Sequence, residues 1–230
     1  MFRLALAILA AALATLFLAP VGIAAWPFRR DGEVGFLVTR RWARAILFAA
    51  GVEVEVESLA TLPEGPLVFV LNHVSALDIP VTFVALPRSF RIVYKRSLMY
   101  VPLMGQLLVA ARNVEIDRGR AFSANRSLER AARRIAGGVS VALFPEGTRS
   151  GTKPMSPFKR GSFKLAADAG VPVVPVSIIG MRRIIGKGGV TPGAVRVRIH
   201  EAILPMPTED PVLSLLQQSE AIVRRETEGS

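Results

Sequence analysis

Three short runs constrain this chain more than any other feature: Leu67 to Leu71, Val139 to Leu143 and Val173 to Ile178. Each is too short for an ordinary helix, and apolar side chains occupy nearly every position. A strand of that kind has no wet face, so it belongs inside a sheet covered on both sides. Phe90 to Tyr94 and Val114 to Ile116 read as further strands. Between the strands lie helical stretches. One runs from about Ser75 to Leu86 and stops at Pro87. Ser123 to Ala136 is closed by Gly137-Gly138, and Gly161 to Ala169 by Gly170. A last helix spans about Asp210 to Thr227, with Pro211 suited to its first turn. Strands alternating with helices predict an α/β fold: one domain, with a mixed sheet covered by helices.

Two other strands have a different pattern. Val52-Glu53-Val54-Glu55-Val56-Glu57 and Val195 to Ile199 alternate with period two, so each should keep one side in water. His200 continues the second alternation and is expected at the surface. Ser58 to Pro66, with two prolines and a glycine, reads as a loop.

Leu4 to Phe28 carries no charged side chain and is bracketed by Arg3 and Arg29-Arg30. It is long enough to cross a hydrocarbon core of about 30 Å. Pro20 and Gly22 interrupt it, so it either spans the bilayer or enters one leaflet and returns; Ala24-Ala25 offers only a weak signal-cleavage site. Arg29, Arg30, Arg40, Arg41 and Arg44 follow it and place the body on the cytoplasmic face. Residues 34–50 read as a second helix. Arg40, Arg41 and Arg44 share one side, and Val38, Trp42, Ala45, Ile46 and Ala49 another. That pattern suits an interfacial helix or one packed on a core. Trp26 and Trp42 serve equally as interface anchors or core fillers. Residues 1–50 are therefore expected to be N-terminal, membrane-anchoring helices, and residues 51–230 the α/β domain.

The formal charge of +11 draws anionic partners. The basic residues are dispersed and no nucleic-acid module is visible, so the expected anion is a membrane surface rather than nucleic acid. With no cysteine and two histidines, thiolate chemistry, disulfides and zinc sites are excluded, and no metal site is expected. No G-x-S-x-G elbow is present.

What remains concentrates after two of the apolar strands. The first is followed by Asn72-His73-Val74-Ser75-Ala76-Leu77-Asp78, the second by Phe144-Pro145-Glu146-Gly147-Thr148-Arg149-Ser150. A histidine takes a proton near neutral pH, and a carboxylate on its other nitrogen fixes the tautomer and stabilises the imidazolium. Five positions within one helix would place the two side chains about 140° apart. The pair works only if His73 lies in the turn and Asp78 in the first helical turn, with Ser75 as the expected N-cap. Ser75-x-x-Asp78 also fits a capping box. Arg149, in a glycine-containing turn after a strand, can grip a phosphate bidentately. Lys159 and Arg160 are weaker cationic candidates.

These two motifs, in this order and about seventy residues apart, resemble those of the 1-acylglycerol-3-phosphate acyltransferases. Three further segments agree: Lys95, Leu98, Pro102 and Gly105; Asn113 to Arg118; and Val171 to Val176. The resemblance covers roughly Leu67 to Ile178. It implies that residues 51–230 form an acyltransferase catalytic domain, with His73 as base and Asp78 as its orienting carboxylate. It also implies a glycerol-phosphate site at Glu146, Gly147, Thr148 and Arg149, with Lys95 and Arg118 as further phosphate contacts. The implied reaction moves an acyl chain from acyl-CoA or acyl carrier protein to lysophosphatidic acid, giving phosphatidic acid beside membrane lipids. No cofactor is implied. Another lysolipid acceptor, or a non-catalytic phospholipid-binding membrane protein, are the alternatives. The latter would need the arginines but not a base.

Overall fold

The computed structural model describes residues 1–116, 129, 131–186 and 189–228. Its centre is a seven-stranded sheet. The strands are β1 (Val52–Ser58), β2 (Val68–Leu71), β3 (Arg91–Lys95), β4 (Val114–Ile116), β5 (Val141–Leu143), β6 (Val173–Ile179) and β7 (Gly193–Ile199). Their order is β1-β7-β6-β2-β5-β3-β4. All neighbours are parallel except β6 and β7, so the sheet is mixed as expected. The nearly continuous apolar runs occupy its middle, in β6, β2 and β5.

Helices cover both sides. Phe69 and Leu71 of β2 point to one face, with Val174, Val176 and Ile178 of β6. There they meet α2 (Glu33–Ala50) and α3 (Asp78–Ala85). Val68 and Val70 point to the other face. They meet α5 (Arg160–Ala169) and α6 (Pro211–Glu228) through Phe163, Leu165, Leu215 and Val223. A fully apolar strand is what such a three-layer arrangement requires. Asp210 caps α6, accepting from Leu213 N at 2.9 Å. Of the expected helix Ser123 to Ala136, residues 131–136 are helical; the preceding segment lies outside the described residues, apart from Glu129.

α1 (Phe2–Ala25) is one continuous helix despite Pro20. It does not project from the body. It lies antiparallel along α2, with Arg3 beside Ala49, Thr15 bonded to Trp42 Nε1 at 3.0 Å, and Gly22 against Gly35. Only Ala7, Ala19 and Gly22 are buried, while Ile8, Leu13, Leu16, Phe17 and Val21 face outward. Its apolar length suffices for a membrane crossing, but its packing turns one long side to the protein and leaves the other exposed.

For α2 the structure separates the two readings. Val38 and Ile46 are buried in protein, and Trp42 packs against the core, so this side is turned toward the protein. The outward stripe is Leu37, Arg41, Arg44 and Phe48. Phe36, Ala43, Leu47 and Ala50 belong to the same core cluster as the sheet. Residue 50 is therefore no boundary in the packing: α2 is a layer of the α/β domain, and α1 lies on top of it.

His200 corrects a second expectation. It is buried, and its Nε2 lies 2.9 Å from Ser177 Oγ. Burial pulls its pKa below the ordinary 6.5. The wet face of β7 holds through Arg196 and closes toward the end of the strand. At its end Arg198 pairs with Glu57 of β1 at 3.0 Å and with Glu226 of α6.

Candidate active site

The parallel register Val70↔Leu143 makes β2 and β5 end side by side, which brings the two polar motifs together. Asn72 leaves β2 but keeps its place in the sheet. Its amide donates to Ile178 O at 3.0 Å and accepts from Ile178 N at 2.7 Å, as another backbone unit would. His73 is thus the first residue free to turn away from the sheet.

Helix α3 starts at Asp78, not at Ser75. Ser75 Oγ accepts from Leu77 N at 3.2 Å and forms a turn instead of an N-cap. Half of the capping box exists: Asp78 Oδ2 accepts from Ser75 N at 2.7 Å and from Val74 N at 2.6 Å. The same oxygen lies 2.8 Å from His73 Nδ1. The break between turn and helix lets residues five apart meet. Capping and orientation are one arrangement here, because the carboxylate that shapes the turn also holds the ring. Asp78 is fully buried, and among the described residues its Oδ1 accepts no hydrogen bond. A buried carboxylate held this close to the ring is suited to stabilising an imidazolium.

The ring has a second support. Phe144 stacks on it, with centroids 4.1 Å apart and planes 19° from parallel. With Nδ1 fixed on Asp78, Nε2 is the nitrogen left for chemistry. The turn itself is tied to the second motif. Ser150 N and Oγ donate to His73 O at 2.8 and 3.2 Å, and Gly151 N donates to Val74 O at 3.1 Å.

Glu146 completes these ties and differs from the part its motif suggests. It is buried. Its Oε1 accepts from His73 N at 2.6 Å and its Oε2 from Ser156 N at 2.9 Å. Burial raises its pKa, and the two backbone donors oppose that rise. It sits under the site as a brace. Glu146→Gln should therefore turn an NH2 group against one of these amides, leaving a buried mismatch worth about 1–3 kcal/mol. We expect thermal unfolding to show a lower Tm and turnover to fall with it. A raised acceptor KM at unchanged Tm would return Glu146 to direct substrate contact.

Gly147 has φ of 76°, and a Cβ there would meet Lys159 Nζ at 2.8 Å. The backbone conformation strains any side chain there, and one would also push the Lys159 ammonium aside. The turn then presents Thr148 and Arg149, both exposed. His73, Lys95, Gly147, Thr148 and Arg149 line one cavity of about 660 Å³. Beyond this polar mouth its walls are apolar, including Phe83, Ile92, Leu98, Leu107 and Leu108. Among the described residues Arg149, Lys95 and Lys159 form no ion pair; Arg160 is held by Asp210 at 2.9 Å. Arg118 lies outside the described residues. One wall of the cavity is shaped by the turn Arg96–Tyr100 packed on α4 (Met104–Ala110). Gly105 permits that contact, since a Cβ would meet Met99 O at 2.2 Å.

Phe144, Ser150 and Asn72 are the parts of the site that motif chemistry alone did not assign. The available signal was position: Asn72 and Phe144 directly follow the ends of neighbouring parallel strands, and Ser150 closes the turn after the second.

The family model described as Acyltransferase matches residues 53–179. A protein of Chlamydomonas reinhardtii named 1-acyl-sn-glycerol-3-phosphate acyltransferase is 35% identical over 69% of this chain and 48% of its own. The human 1-acyl-sn-glycerol-3-phosphate acyltransferase alpha is 33% identical over 84% of this chain and 69% of its own. The chain spans about half the length of the algal and plant relatives it matches. The crystal structure of a 1-acyl-sn-glycerophosphate acyltransferase from Thermotoga maritima superposes with a TM-score of 0.75 at 29% identity. That match covers 99% of this chain and 97% of the other.

Proposed function

The chain belongs to the acyltransferase family, and from that premise we propose that it acylates the free hydroxyl of a 1-acylglycerol-3-phosphate, giving phosphatidic acid. The carrying observation is one arrangement: a histidine oriented by a buried carboxylate, at the mouth of an apolar cavity, beside an arginine without an ion-pair partner among the described residues.

The donor is a thioester, on CoA or on acyl carrier protein. Its acyl chain enters the cavity that His73 lines, which leaves its carbonyl beside the ring. Arg149 holds the acceptor's phosphate, with Lys95 adding positive charge. The acceptor hydroxyl oxygen attacks the carbonyl carbon while His73 Nε2 takes its proton. Asp78 stabilises the resulting imidazolium. The tetrahedral intermediate then collapses, the carbon–sulfur bond breaks, and the thiolate takes the proton from His73. An ester and a free thiol result, and the base is restored. The substrate supplies the attacking oxygen, so no enzyme nucleophile and no cofactor is needed.

The outward apolar face of α1 fits the surface of a bilayer, and Arg41 and Arg44 on α2 fit the anionic headgroups beside it. The arginines after α1 support a site on the cytoplasmic side. Purified protein supplied with lysophosphatidic acid, and separately with acyl-CoA and acyl-carrier-protein donors, tests the reading. Phosphatidic acid should form with at least one donor. Product only from a different lysolipid would move the acceptor assignment, and no acyl transfer at all would overturn it.

Arg149→Lys keeps the charge but loses the planar fork. One charge-assisted bond is lost, so the acceptor KM should rise about tenfold or more. Steady-state kinetics with varied acceptor provide the check. Unchanged KM and kcat would remove Arg149 from the site.

A further inference from the structure

A second apolar cavity, of about 490 Å³, lies between α1 and the short hairpin that pairs Ile185 with Val190. Its walls include Leu4, Ile8 and Ala11 of α1 and Ile46 of α2. Three residues, Trp42, Ala76 and Arg149, border both cavities. The Trp42 indole is held in place by Thr15 on α1. Lysophosphatidic acid already carries one acyl chain, and the reaction above gives that chain no seat. We propose that this second cavity holds the acyl chain of the acceptor, so that donor and acceptor chains occupy separate apolar sites meeting at Arg149.

The assignment follows from bond connectivity. The donor chain begins at the reacting carbonyl, so it must start beside His73, and only the larger of these two cavities is lined by His73. The acceptor chain is attached one carbon away from the reacting hydroxyl, with the phosphate on the other side. It can therefore leave beside the phosphate site, and it must not compete with the donor chain at the base. The smaller cavity meets both conditions, bordered by Arg149 and not by His73. Its α1 wall supplies a further argument. Ile8 is 61% exposed and Leu4 37% exposed, so the cavity opens on the apolar face proposed to meet the bilayer. A lysolipid could slide in sideways with its chain never crossing water, which avoids a cost of about 0.8 kcal/mol per methylene.

The inference rests on the proposed acceptor class, and the test separates the two. Ala11→Phe fills the cavity, and Leu4→Trp narrows its rim should the first variant fold poorly. The full-length protein in detergent is assayed with 1-palmitoyl- and 1-hexanoyl-glycerol-3-phosphate, and with a series of donor chain lengths. Either variant should lower the palmitoyl-to-hexanoyl ratio of kcat/KM about tenfold or more, the effect of displacing roughly two buried methylenes. The donor chain-length profile should stay as in the unmodified chain. An unchanged acceptor ratio, or a shift in the donor profile instead, would overturn the assignment. Binding of both acceptors to donor-free protein is measured alongside. If the unmodified chain binds them without acylating either, the proposed reaction fails, while the binding ratio still decides the cavity's occupant.

Discussion

His73→Ala lowers kcat by about 10²–10⁴-fold, the range in which a positioned general base contributes, and leaves the acceptor KM within a few-fold of its original value. The fold should hold because the ring is not what secures the turn. His73 N still reaches Glu146, His73 O still receives Ser150, and Asp78 keeps its bonds to Val74 N and Ser75 N. The loss is confined to the nitrogen facing the substrates, the Nδ1 bond to Asp78 and the stack on Phe144. Stopped-time assays of product, with a thermal melt of the same preparation, provide the measurement. A variant that kept more than half of its turnover would show that the proton leaves by another route.

Deletion of residues 1–50 abolishes the native state instead of releasing a soluble enzyme. Sequence pattern alone suggests the opposite, because the break at Gly51 looks like the edge of an anchor. The packing argues otherwise. Phe36 of α2 meets the rings of Phe83 at 5.8 Å and Phe90 at 5.3 Å, and all three are buried. Phe36→Ala alone should cost about 3–5 kcal/mol, a large part of a stability of roughly 5–15 kcal/mol. Removing the whole helix also uncovers Ala43, Ile46, Leu47 and Ala50, with the sheet face beneath them. Circular dichroism and limited proteolysis of the truncated chain should report an unfolded or aggregated product. A cooperative melt near that of the full chain would restore the boundary at residue 50.

The central strands were readable because burial on both faces leaves an unbroken apolar run, which few other environments produce. The meeting of His73 with Asp78 was readable from spacing, once a turn was required to precede the helix. Three things lay beyond a linear reading. The placement of β1 beside β7 depends on pairing across most of the chain. The direction of α2 was obscured because its apolar residues extend round more than one side. Val38 and Ile46 turned inward while Leu37 and Phe48 stayed outside. His200 is buried beside Ser177 of β6, and period-two alternation carries no information about what will cover the end of a strand. Glu146 shows the limit of motif chemistry. A carboxylate beside an arginine suggests the substrate site, but its oxygens are spent on two backbone amides.

The pairing of β1 with β7 also has a consequence in time. Glu57 and Arg198 are 141 positions apart, so the first strand waits for nearly the last one before it has a neighbour. At roughly 5–20 residues per second of synthesis, that wait lasts on the order of ten to thirty seconds. Throughout it, α1 and α2 have left the ribosome ahead of the sheet they will cover. The inner face of α2, destined for the protein core, meets α3 early but lacks the finished sheet beneath it. Val195, Val197 and Ile199 of β7 belong to the same core cluster, so part of that apolar face stays uncovered until the last strand is in place.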